Sequence, residues 1–115
     1  MSDAPVLGGL HRMEDFATAD DFTKKHTPYV EAQRDGENVT VTVAVGHYVP
    51  HPNTADHFIE YIELLANDVP IARFDMSALA VDPKVTVHLK LDPETKLTAL
   101  ESCNLHGVWA ADQTV

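Results

Sequence analysis

Val39-Thr40-Val41-Thr42-Val43-Ala44-Val45 is the stretch that decides the fold class. Valine recurs at every second position, and the residues between are small or hydroxylated. Side chains along a strand alternate between faces, so this segment reads as a half-buried β-strand. Arg34-Asp35-Gly36-Glu37-Asn38 directly precedes it. Asp-Gly supplies the positive φ angles of a hairpin turn, so a partner strand is expected to run from about Val30.

The pattern continues outward. Phe58 to Leu65 is an extended run rich in aromatic and branched residues. Asn67-Asp68 signals a turn, and Val69 to Phe74 reads as the next strand. Val85, Val87, Leu89 and Leu91 alternate with Thr86, His88 and Lys90 until Asp92-Pro93 breaks the run, because proline cannot donate to a ladder. Lys96 to Cys103 gives another strand, and Val108-Trp109 begins a last short one. About seven short strands with turns at roughly ten-residue intervals predict an all-β, immunoglobulin-like sandwich. Residues 1–21 read as an N-terminal arm with one short helical turn near Arg12 to Phe16, and residues 22–115 as the β-sandwich domain.

The chain has 115 residues, enough for one core. Its formal net charge of −10 argues against nucleic acid and anionic membranes as partners. No stretch approaches the ~20 apolar residues of a membrane helix. Met1 to Leu10 lacks a basic start followed by an apolar run, so no secretory signal is expected. The single cysteine excludes an internal disulfide and makes a reducing, cytoplasmic home the simplest expectation.

Three phrases carry chemistry: Lys24-Lys25-His26-Thr27-Pro28, His51-Pro52-Asn53-Thr54-Ala55-Asp56-His57 and Cys103-Asn104-Leu105-His106-Gly107. Imidazole and thiolate are the ligands that borderline transition metals prefer. Cys103 and His106 are close enough for one turn to deliver both, with Gly107 permitting the tight backbone. His51 and His57, six apart, do not share a helical face. The intervening Pro52-Asn53-Thr54 is a turn, with Thr54 expected to cap a single helical turn that brings His57 round. Proline at 28 favours an extended approach after His26. Each phrase alone has an ordinary reading: solvated histidines in a polar loop, or a cysteine packed as a small apolar group. Together they point to one metal centre. His11, His47 and His88 are read as surface residues, and Trp109 and Tyr61 as core or rim.

The same phrases resemble the superoxide reductases, namely the one-iron neelaredoxins and the iron domain of desulfoferrodoxins. The matching residues are His26-Thr27-Pro28, Gly46 with Pro50-His51-Pro52-Asn53-Thr54 and His57, and Cys103-Asn104-Leu105-His106-Gly107 with Trp109, within about residues 22 to 109. The resemblance implies one mononuclear iron, Fe2+/Fe3+, with His26, His51, His57 and His106 around its equator and Cys103 on the axis. It further implies binding through Nδ1 of His106 and Nε2 of the others, and reduction of superoxide to hydrogen peroxide. Electrons would come from a separate donor such as rubredoxin, because the rubredoxin-like cysteine site of some relatives is absent. A homo-oligomer is implied, a tetramer rather than a dimer.

Lys25 matches the family lysine, whose implied role is to attract superoxide and position water for proton delivery. Lys24 departs from the pattern, standing where relatives carry a glutamate that closes the sixth iron position in the oxidised protein. A charged ammonium cannot serve as that ligand; solvent is then expected there, or a carboxylate from Glu14 or Asp15. Two other classes use the same residues differently: a non-catalytic electron-transfer or metal-carrier module, and a plain interaction domain with incidental histidines.

Overall fold

The computed structural model describes residues 9–115. The first eight residues of the expected arm lie outside them. Eight strands are present among the described residues: β1 (His11–Arg12), β2 (Tyr29–Asp35), β3 (Asn38–Ala44), β4 (Ile59–Ala66), β5 (Val69–Asp75), β6 (Lys84–Lys90), β7 (Lys96–Cys103) and β8 (Gly107–Thr114). They form a five-stranded sheet in the order β1-β8-β7-β4-β5 and a three-stranded sheet in the order β2-β3-β6. The fold is the expected all-β sandwich. No described helix is long and apolar enough to cross a membrane.

The valine alternation does what its period requires. Val39, Val41 and Val43 are buried, while Thr40 and Thr42 lie on the other face. The valines meet Ile62 and Leu64 of β4 and Leu97 and Ala99 of β7 in one apolar cluster between the sheets. Burying such side chains stabilises by about 1.5–3 kcal/mol each, before the entropy cost of ordering them. The β2–β3 hairpin turns at Gly36, whose φ is +63°.

Three local expectations are corrected. The turn expected near Arg12 to Phe16 falls later, where the Asp15 carbonyl accepts from the Ala19 N–H at 3.0 Å, and His11–Arg12 instead pairs parallel to Trp109–Ala110 of β8. The single helix among the described residues, α1, is Asp21–His26. Asp20 caps it by accepting from the Thr23 N–H, and Thr27 leaves it with extended backbone (φ −76°, ψ 125°), as the following proline demands. Six residues are too few to register as a period. The last strand is also longer than expected, running eight residues along all of β7.

The antiparallel order brings the start of β2, the end of β3, the start of β4 and the β7–β8 hairpin to one end of the sandwich. All three histidine-bearing phrases lie there. Next to them, the β4–β7 register shifts between Ile59 and Tyr61. This irregularity lets Ile59 and Ile62, three apart, both face inward, a re-aiming of the strand typical of bulges beside functional sites.

Candidate metal centre

His26 arrives on the last turn of α1 and is completely buried. Its Nδ1 donates to the Phe22 carbonyl at 2.7 Å. That bond fixes the tautomer and leaves Nε2 facing inward, buried and without a partner. Trp109 stacks on the ring at 5.2 Å between centroids and Phe22 packs on it at 4.6 Å. The two aromatics brace the imidazole that the helix delivers.

His51 and His57 come from the β3–β4 loop. His51 Nδ1 donates to the Pro52 carbonyl at 2.6 Å, and its Nε2 is again buried and unpartnered. The expected helical turn before His57 does not form. Thr54 and His57 make an isolated antiparallel bridge instead, and the Thr54 hydroxyl accepts from the His57 N–H at 3.1 Å. Threonine still directs the turn, with different backbone. His57 Nε2 is the third buried, unpartnered ring nitrogen.

Cys103 ends β7 and His106 lies in the hairpin before Gly107, whose φ is +83°. The Cys103 Sγ and His106 Nδ1 atoms are 3.7 Å apart. The Trp109 indole donates to the His106 carbonyl at 3.1 Å.

The four rings form a closed quadrilateral. Centroid distances are 4.9 Å for His26–His51, 4.8 Å for His51–His57, 5.1 Å for His57–His106 and 5.0 Å for His106–His26. Successive planes cross at 71–83°. One ligand atom each from His26, His57, Cys103 and His106 lies within 4.8 Å of the others. His51 falls outside that tight set, yet its ring closes the square between His26 and His57. All five nominated residues are therefore brought together. His11, His47 and His88 are not: His11 packs on Trp109, His47 stacks on Tyr29, and His88 contacts Thr40 at the surface.

The electrostatics suit a cation. Burial lowers the pKa of His26, His51 and His106, that of His51 to about 4. These imidazoles are neutral at pH 7, as metal ligands must be. Burial pushes the Cys103 thiol up, although the Leu105 and His106 backbone groups oppose this; a metal ion would reverse that balance. Lys25 adds to the lowering at His26, His51 and His106, so its ammonium acts on the ring cluster. Lys24 contributes at none of these. Its Nζ lies 4.4 Å from the centroid of Phe16, which packs on Tyr48.

Some supporting residues escape a reading of the sequence. Asn53 accepts from Leu79 N–H at 2.7 Å and donates to the Val81 carbonyl at 3.3 Å, tying the ligand loop to the segment before β6. Asn104 grips the same loop from the β7–β8 hairpin. An asparagine within two residues of His51 and another directly after Cys103 were the available signal. Glu101, completely buried with both oxygens unpartnered, faces the core two residues before Cys103; nothing in its local sequence marks it.

Comparison with known proteins agrees with this geometry. The Desulfoferrodoxin family model matches residues 18–112. The superoxide reductase of Pyrococcus furiosus is 34% identical over 110 residues, covering 80% of this chain and 89% of its own length. The desulfoferrodoxin of Nitratidesulfovibrio vulgaris is 38% identical over 95 residues, covering 83% of this chain and 68% of its own. Among solved structures, the superoxide reductase (neelaredoxin) of Archaeoglobus fulgidus in the reduced form superposes with a TM-score of 0.72 at 34% identity, covering 84% of this chain and 94% of that one. The match runs from before α1 almost to the end of β8 and includes every phrase that meets at the ring cluster, and on that ground the chain belongs to the desulfoferrodoxin family.

Proposed function

We infer that this chain is a superoxide reductase, an oxidoreductase acting on superoxide, with a metal centre made by His26, His51, His57, His106 and Cys103. One observation carries the reading: three buried ring nitrogens without partners belong to neighbouring rings, two of which also lie close to a buried thiol. A buried polar atom left unsatisfied costs about 1–3 kcal/mol, and one shared cation relieves all three. Imidazole with thiolate suits iron, copper or zinc; the desulfoferrodoxin family match and the His/Cys cluster support iron, and the reading takes one ion, Fe2+/Fe3+. The Nε2 atoms of His26, His51 and His57, the His106 Nδ1 and the Cys103 Sγ would hold it. When bound, the iron would supply the one electron that, with two protons from solvent, converts superoxide to hydrogen peroxide.

The protein's own part is orientation, charge and access. Cys103 and His26 are buried, whereas His51, His57 and His106 are half-buried. The thiol therefore lies on the core side, and a small anion approaches from the opposite, solvent side. Lys25 provides the local positive charge that a chain of net charge −10 otherwise lacks. Its ammonium attracts superoxide and holds water for proton delivery. Lys24, turned onto Phe16, leaves the last position to solvent in the oxidised protein. Glu14 and Asp15 of the arm are the carboxylates that could take its place.

Electrons arrive from a separate small donor such as rubredoxin, in the reducing cytoplasm that a lone buried thiol suits. Assembly is as a homo-oligomer, a tetramer rather than a dimer; the exposed Val69 and Ile71 on the edge strand β5 are consistent with pairing between copies.

The test is optical and kinetic. Iron-loaded protein should show a red-region sulfur-to-iron charge-transfer band when oxidised, lose it in Cys103→Ser, and be oxidised by superoxide with peroxide as product. Loaded protein that lacks the band, or that superoxide does not oxidise, would overturn the reading and leave a metal-carrier role.

A further inference from the structure

Gly46 lies just beyond β3, at the start of the loop that carries His51 and His57, with φ +86°. A Cβ built on it would meet the His51 backbone nitrogen at 2.9 Å and the His51 Cβ at 3.3 Å. Neither atom can be moved by a rotamer change. Positive φ alone is not what sets this glycine apart. Gly36 and Gly107 share it, yet a Cβ at Gly36 meets nothing within 4 Å and one at Gly107 only the His11 ring at 3.8 Å.

The loop thus folds back onto its own start, and the main chain of His51 rests against the bare face of Gly46. The His51 ring has no independent freedom there. Pro50 and Pro52 stiffen the backbone on either side, and Nδ1 is held by the Pro52 carbonyl. Where the His51 Nε2 ends up is therefore decided by where the backbone of residue 51 lies. Ordinary carbon contacts fall at about 3.5–4.0 Å, so a side chain at 46 would push that backbone by roughly half an ångström. Metal–ligand distances tolerate only about 0.2 Å. The displacement exceeds the tolerance, and the small size of the shift means the rest of the sandwich need not notice it.

We propose that Gly46 is a positioning residue of the metal centre: the absence of a side chain there lets His51 approach closely enough to complete the ring square. The proposal rests on His51 being a ligand, as inferred above.

The test uses five proteins, the parent, Gly46→Ala, Gly46→Asn, His51→Ala and the Gly46→Ala/His51→Ala double variant, titrated with Co2+. Alongside, 15N spectra of the metal-free proteins read the Nδ1 proton of His51. Gly46→Ala is expected to weaken Co2+ binding roughly tenfold to a hundredfold, yet to add less than about twofold on the His51→Ala background, as a coupled pair should. Its metal-free spectrum should lose or shift the His51 Nδ1 proton and keep that of His26. Gly46→Asn tolerates positive φ but carries the Cβ, so it should fold and behave like Gly46→Ala. Parent-like affinity in Gly46→Asn, an unshifted His51 proton, or a full additive loss in the double variant would each overturn the proposal. If His51→Ala binds Co2+ as the parent does, the ligand assignment fails, and the spectrum alone decides whether Gly46 sets the ring.

Discussion

Asn104 holds His57 from both sides: its Nδ2 donates to the Asp56 carbonyl at 2.9 Å, and its Oδ1 accepts from the Phe58 N–H at 2.9 Å. The Asn104 N–H adds a bond to the Phe58 carbonyl at 3.2 Å. One residue thereby couples the hairpin carrying Cys103 and His106 to the loop carrying His57. Asn104→Ala should lower stability by about 0.5–1.5 kcal/mol and weaken Co2+ binding roughly tenfold or more. Asn104→Asp keeps an acceptor for Phe58 and should fall between. Denaturant unfolding and metal titration measure the two effects; unchanged metal affinity would show that His57 needs no such grip.

Lys24 and Lys25 are neighbours in sequence with different surroundings. Lys25 acts on three of the four rings, while Lys24 sits on Phe16. Lys25→Ala should slow the reaction with superoxide by roughly tenfold at low salt and flatten its dependence on ionic strength. Lys24→Ala should change the rate far less. Pulse radiolysis at two ionic strengths separates them, and equal effects from the two substitutions would contradict the division of roles.

Acid should destabilise the metal-free protein in a defined window. Burial lowers His26, His51 and His106 from an ordinary value of 6.5, His51 to about 4. Below 6.5 the unfolded chain takes up protons that these folded imidazoles refuse, so stability falls as pH drops from 6.5 towards 4. Below that, His51 protonates in both states and its share of the slope vanishes. Unfolding midpoints in steps from pH 4 to 7 should follow this course, with a shallower slope in His51→Gln.

Glu101 should produce the opposite dependence. Burial, and then the neighbouring Glu60, raise its carboxyl well above the usual range. A raised acid supports the fold while protonated and loses that support as pH climbs through its folded value. Glu101→Gln cannot ionise, so its melting temperature should exceed the parent's at pH 8–9, with little difference at pH 5. A parent-like alkaline loss in the variant would assign it to another group.

Much of this was legible along the chain. Valine at every second position from Val39 to Val45 leaves a strand with one buried face as the only periodic solution, and Gly36 marks its hairpin. The five ring and sulfur residues were nominated by chemical type and by the short phrases that hold them, because imidazole and thiolate are uncommon in such density without a metal. Those are local signals, readable within a few residues.

The remainder depended on contacts that no window contains. Asp21–His26 is too short for a helical period, and it becomes a helix through the Asp20 cap and the packing of His26 on Trp109, 83 positions away. Strand β8 runs through Ala110, Ala111 and Asp112, which carry no alternation of their own and are ordered by pairing with β7. Sequence nominated which side chains could meet. Only the tertiary fold set the ring spacing near 5 Å, laid Lys24 on Phe16 and brought Asn104 to the residues flanking His57, because those distances are fixed by how two sheets stack and where their loops are tied.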